Sequence, residues 1–170
     1  MLIKGIILVS FTSYQINIKM ENQKTIEVLN DLLHISNDRL EGFEKVEGKI
    51  WEMNHDLQDD YEHMTSQTKV FKNELINLII ERGGKPDDSA SVAGTIHRAW
   101  IDIKNSVLLS SLEASTLENV LFGENAAIQA YQEALDSGEL DEASKEIVSE
   151  QLKKIKDSSH EFKGKLELRK

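Results

Sequence analysis

With no cysteine in the chain, its carboxylates and imidazoles are the side chains best suited to chemistry, and their spacing invites a metal reading. A carboxylate site for two iron or manganese ions in a four-helix bundle takes one Glu from each of two helices. A Glu-x-x-His pair comes from each of the other two, and all of these groups point inward. Here Glu41 and Glu44 lie in one segment, Asp60-x-x-His63 in the next, Glu124 in a third and Asp157-x-x-His160 in a fourth. The lack of cysteine excludes disulfide scaffolds, thiol catalysis, thiolate zinc sites and cysteine-held iron–sulfur clusters. No G-x-S-x-G, phosphate loop or H-E-x-x-H motif occurs, so nucleophilic, phosphoryl-transfer and zincin chemistries have no sequence support.

The elements that must position these groups are helical. One proline, 6% aromatic and 29% charged residues are a poor composition for sheets. Apolar residues recur at steps of three and four over Asn22 to about Lys49 (Ile26, Leu29, Leu33, Leu40, Phe43). The same period returns from Asp56 (Leu57, Tyr61, Met64, Phe71, Leu75, Ile79) and stops at Gly83-Gly84, with Pro86 beyond. A shorter helix is expected over 91–108, carrying Val92, Ile96, Trp100, Ile103 and Val107. Ser115 and Glu118 form a capping-box start for a helix with Leu117, Leu121, Ile128, Tyr131 and Leu135, ending before Gly138. A last helix starts near Asp141 and carries Val148, Leu152, Ile155, Phe162 and Leu166; lysines in its final turns suit the helix dipole. Short loops make two antiparallel hairpins, and the connection between them is long enough to travel the length of the bundle. The expected fold is all-α, a four-helix bundle with a short fifth helix in its crossover.

Direction tests the metal reading more strictly than spacing does, because a ligand must share its helix's apolar sector at about 100° per residue. Glu124 passes, lying in line between Leu121 and Ile128. Glu44 falls at the edge of its stripe and Glu41 further out, while His63 and His160 sit about 120° or more from theirs. The inward slot between Ile155 and Phe162 holds Ser159. A core-facing Glu124 needs a partner, since unpaired burial costs several kcal/mol. Two readings stand. One is a structural network with Tyr61, Tyr131, Ser159 or an inward Lys or Arg; the other is a metal ligand, with Glu44 beside it. Gly123, unfavourable inside a helix, suggests a close backbone approach there. His34 and His55 are expected to face solvent. His97, Arg98 and Trp100 on the crossover could form an interaction surface; otherwise Trp100 packs the crossover down and Arg98 pairs with Asp102.

At 170 residues one domain is expected, with 20 basic against 30 acidic residues. That charge disfavours nucleic acid and anionic lipid as partners. Residues 1–19 carry Lys4 and Lys19 but no acid, leaving 18 basic against 30 acidic residues from Met20 onward, a formal charge of about −12. This segment is expected to be an extension, disordered or loosely docked, outside a domain over 20–170. A secretory signal would have a short apolar stretch, Gly5 to Phe11, and no small-x-small cleavage site, and no apolar run reaches membrane-spanning length. The expected setting is cytoplasmic.

Three stretches carry a resemblance: Gly83-Gly84-Lys85-Pro86-Asp87-Asp88-Ser89 with Ser91-Val92-Ala93-Gly94-Thr95-Ile96-His97-Arg98-Ala99-Trp100-Ile101-Asp102-Ile103-Lys104, Thr25 to Leu32, and Gly123 to Tyr131. They resemble a bacterial family of ferritin-like four-helix-bundle proteins of unknown function, over about Met20 to Arg169. The resemblance implies a ferritin-like bundle and supplies no activity. Taken together, a non-catalytic interaction or stress-associated module without a cofactor is expected, with a protein partner or further copies of the chain to bind. The alternative is a di-iron or di-manganese protein using Glu44, Glu124, Asp60, His63 and His160.

Overall fold

The computed structural model describes residues 3–44, 54–87 and 116–168. Within them lie four helices, α1 (Ile3–Glu44), α2 (His55–Glu81), α3 (Thr116–Asp136) and α4 (Glu142–Glu167). The expected crossover helix over 91–108 lies outside the described residues, and so do His97, Arg98 and Trp100. Helix α1 starts well upstream of Asn22, where the sequence pattern placed its beginning. No glycine or proline between Ile6 and Thr25 interrupts it.

Helix α1 packs against α2 and α3, and α4 packs against the same two, so α1 faces α4 and α2 faces α3 across the diagonals. Each adjacent pair is antiparallel. Thr25 Oγ1 donates to the Glu139 carbonyl at 2.6 Å at one end, and Tyr61 donates to the Phe43 carbonyl at the other. Between α2 and α4, Arg82 meets Asp141 at the first end and Lys165 meets Asp60 at the second. Helices α2 and α3 therefore end together, and the connection from Asp87 to Thr116 joins opposite ends of the bundle.

Local chemistry stops and starts these helices as the sequence implies. At the end of α2, Gly83 takes φ 74°, and Gly84 N–H returns to the Ile79 carbonyl at 2.9 Å. Asp141 caps α4 by accepting from Ser144 N–H at 2.8 Å. The same carboxylate accepts from Arg82 Nε at 2.6 Å and Nη2 at 2.7 Å, and the guanidinium holds its pKa down at about 2, from 3.8. Asn22 Nδ2 donates to the Arg82 carbonyl at 2.7 Å, and Lys24 reaches Glu139 at 2.8 Å, so this end of the bundle is closed by a ring of polar contacts touching all four helices.

The core forms two apolar clusters. The larger includes Leu29, Leu32, Leu33, Phe71, Leu75, Ile79, Val148 and Ile155; the smaller holds Phe43, Leu57, Met64, Val120, Phe162 and Leu166. On α3 the buried line is Val120, Glu124, Ala127, Ala130, Tyr131 and Ala134, while Leu117, Leu121, Ile128 and Leu135 flank it half-buried. The alanines turn a different face inward from the one that large side chains alone marked. Gly123 also departs from expectation. A Cβ built there meets nothing within 4 Å among the described residues, so no described backbone approaches it.

The close approach occurs at Gly84 instead, where a Cβ would lie 2.8 Å from Ile26 Cγ2 and 3.0 Å from Ile79 Cγ2. Gly84→Ala is predicted to destabilise by about 1–3 kcal/mol through overpacking, whereas Gly123→Ala gains about 0.5–1 kcal/mol of helix propensity. Urea unfolding of both variants checks this, and equal effects would refute the assignment of the close approach. The depressed Asp141 carboxyl makes a second prediction: its stabilisation is complete above pH 3.8 and disappears as pH falls toward about 2. Asp141→Asn should flatten that limb of an acid-unfolding curve relative to wild type.

Candidate functional site

Between the two apolar clusters lies a polar layer, with Ser36 and Arg39 from α1, Thr68 from α2, Glu124 from α3, and Ser158 and Ser159 from α4, all buried. Glu124 points into the core as its spacing required, and its side chain is 1% exposed, as is that of Arg39. Arg39 meets it side-on. Nε donates to Oε1 at 3.0 Å, and Nη2 donates to Oε1 at 2.9 Å and to Oε2 at 2.8 Å. The guanidinium lies over the Phe43 ring, 5.7 Å from its centroid, and Phe43 packs edge-on against Tyr61 at 5.5 Å. Planarity lets one group serve a carboxylate along its edge and an aromatic ring on its face, which an ammonium could not do.

A second network lies next to this layer, toward the larger cluster. Tyr131 donates to Gln151 Oε1 at 3.1 Å with Ser36 Oγ at 3.4 Å, and Gln151 Nε2 donates onward to Glu74 Oε2 at 2.8 Å. Burial pushes the Tyr131 phenol's pKa up, with the nearby Arg39 charge pulling the other way, so the phenol acts as a neutral hydrogen-bond donor. Chemically, both oxygens of Glu124 are held by a cation from its own chain. A metal ion would have to displace Arg39 to reach them, and a substrate proton would have to compete with three charge-assisted bonds.

The remaining candidates do not converge on Glu124. Glu41 and Glu44 are exposed, and Glu44 acts on Tyr61, whose pKa is raised mainly by burial and secondly by that charge. Asp60 accepts from Lys165 at 2.7 Å, and Asp157 pairs with Lys153 at 3.0 Å on the surface. His63 and His160 are exposed, as their angular positions required. Among the described residues no three His, Asp or Glu side chains gather closely enough to hold a metal ion.

One histidine moves the other way. His34 was expected in solvent, but it is 6% exposed, with its Nε2 3.9 Å from Asp87 Oδ2. The residues after α2 explain this. They fold back along α1, Gly84 against Ile26 and Asp87 near His34. Asn30 clamps them, its Oδ1 accepting from Asp87 N–H at 2.8 Å and its Nδ2 donating to the Lys85 carbonyl at 3.4 Å. The stretches Thr25 to Leu32 and Gly83 to Asp87, distant in sequence, thus form one contact.

Arg39 is the residue that sequence reasoning missed. A signal existed: Leu32, Ser36, Arg39 and Phe43 follow steps of four, three and four, an inward line as regular as the apolar one read beside it. Arg39→Ala and Glu124→Ala are each predicted to cost about 3–5 kcal/mol, because either change leaves a buried charge uncompensated. Equilibrium unfolding measures the loss, and a change below about 1 kcal/mol would show the pair to be solvated like a surface bridge.

With the geometry in place, comparison with known proteins adds a family. The model of a domain of unknown function (DUF2383) matches residues 24–137. The match covers α1 from Lys24, α2 and α3, and it ends before α4, short of the span to Arg169 that the resemblance suggested. No curated protein and no solved structure matches the chain. The matched span takes in more than half of the sequence, the polar layer's Arg39 and Glu124 and the Asn30 clamp included, and on that match the chain belongs to the DUF2383 family.

Proposed function

We propose that this chain is a ferritin-like four-helix bundle that works in the cytoplasm as an interaction or stress-associated module, binding a protein partner or further copies of itself, without catalysis or metal storage. The observation that carries the reading is Arg39's side-on grip on Glu124, which fills the core-facing carboxylate with a resident cation. The ferritin-like part draws support from the diagonal pairing of α2 with α3 and from the single long connection joining opposite bundle ends. The acidic, cysteine-free composition supports a reducing, cytoplasmic setting, and no helix among the described residues is long and apolar enough to cross a membrane. The di-metal alternative needs Glu124 released from Arg39, Asp60 released from Lys165, and the exposed His63 and His160 turned inward.

Protein purified without a metal-chelating tag, analysed for bound metal and titrated with ferrous iron, tests the metal half. Substoichiometric metal that Glu124→Gln leaves unchanged is expected; near-stoichiometric iron or manganese that this substitution abolishes overturns the proposal. For the partner half, Trp100→Ala is predicted to lower the associated mass in light scattering while helical circular dichroism holds. Unchanged mass and unchanged partner binding would remove the crossover as the interface.

A further inference from the structure

We propose that the Arg39–Glu124 pair is a register pin, fixing how far α1 can slide along α3 where their apolar surfaces alone would accept a slip of one heptad. The inference is independent of the partner reading above. It starts from the surface α3 offers to α1. Ala126, Ala127, Ala130 and Ala134 are all buried, so apart from Tyr131, which meets Ser36 of α1, this face is low and repetitive, and Leu29, Leu32 and Leu33 in the same apolar cluster find little other relief in it that distinguishes one turn from the next. A slip of seven residues, about 10.5 Å, brings the same kind of faces back together.

The charges do not tolerate that slip. In the observed register Arg39 meets Glu124, and Thr25 meets Glu139. Seven residues away Arg39 comes level with Leu117 and Glu124 with Leu32, and sliding in the other direction brings Arg39 level with Tyr131. Two unpaired charges would then be buried, suppressing each slipped form roughly a hundredfold or more. A pair kept for specificity need not be optimal for stability, and this one is not fully satisfied: Arg39 Nη1 is buried with no hydrogen-bond partner among the described residues. Polar residues that set helix register within an apolar interface act in the same way in coiled coils.

The chain's lack of cysteine makes the register directly readable. Lys24 Nζ lies 2.8 Å from Glu139 Oε1, so a Lys24→Cys/Glu139→Cys variant reports the native register, and Lys24→Cys/Gln132→Cys reports the slipped one. In an otherwise wild-type background a short thiol cross-linker should join the first pair at least tenfold faster than the second. Adding Arg39→Met/Glu124→Leu should bring that ratio close to one, while the thermal midpoint equals or exceeds wild type. A double apolar variant that keeps the native cross-linking ratio overturns the proposal. One that unfolds or melts well below wild type does so too, since the pair would then supply stability and not register.

Discussion

Glu124 cannot remain charged in the middle of a bundle core without a cation, and meeting that constraint organises the central layer of this protein. Its partner comes from the adjacent helix α1, and a planar guanidinium suits the position because it engages the carboxylate along one edge while resting on Phe43. Phe43 is itself set by Tyr61, whose hydroxyl donates to the Phe43 carbonyl and ties the end of α1 to the start of α2. One buried charge thus draws α1, α2 and α3 into a shared arrangement, and Ser158 and Ser159 of α4 are buried at the same level. The apolar clusters on either side keep this layer from water, which strengthens the pair and raises the penalty for losing one partner.

The polar contacts at the closed end of the bundle answer to different physics. Arg82 and Asp141, Lys24 and Glu139 lie partly in solvent, where screening limits what each ion pair contributes. Their value lies in geometry: Asp141 caps α4 and receives the side chain of the residue that ends α2, while the Arg82 carbonyl accepts from Asn22 of α1. A helix start, a helix stop and the entry of α1 are joined by groups that satisfy orphan backbone atoms in any case. The buried pair sets which positions face each other, and the exposed ring closes the ends.

Most of the architecture was legible because helix period and punctuation are local. The stops at Gly83-Gly84 and Gly138 and the cap at Asp141 follow from backbone conformations and side-chain reach that a few residues determine. What could not be read depended on neighbours distant in sequence. His34 looked like a surface residue until the strap after α2 folded over it, an outcome fixed by Asn30 and by the missing side chain at Gly84. The inward face of α3 was read from its large side chains, whereas the core line runs through Ala127, Ala130 and Ala134. An inward Lys or Arg was among the partners expected for Glu124, but Arg39 did not stand out as the one, since a long basic side chain can as readily reach for water. Only the facing position of Glu124 shows why this one does not.

The same logic redistributes the chain's acidic excess. An abundance of carboxylates resembles metal-site material when residues are counted. In three dimensions, four of the acids that tie elements together are met by the protein's own cations, Glu124 by Arg39, Asp60 by Lys165, Asp141 by Arg82 and Glu139 by Lys24. Each pairing joins two elements of the bundle. Among the described residues, the carboxylate at the centre of the bundle has both oxygens engaged by Arg39. Exposed carboxylates such as Glu41, Glu44 and Asp157 lie on solvated helix faces, where charge favours hydration over coordination.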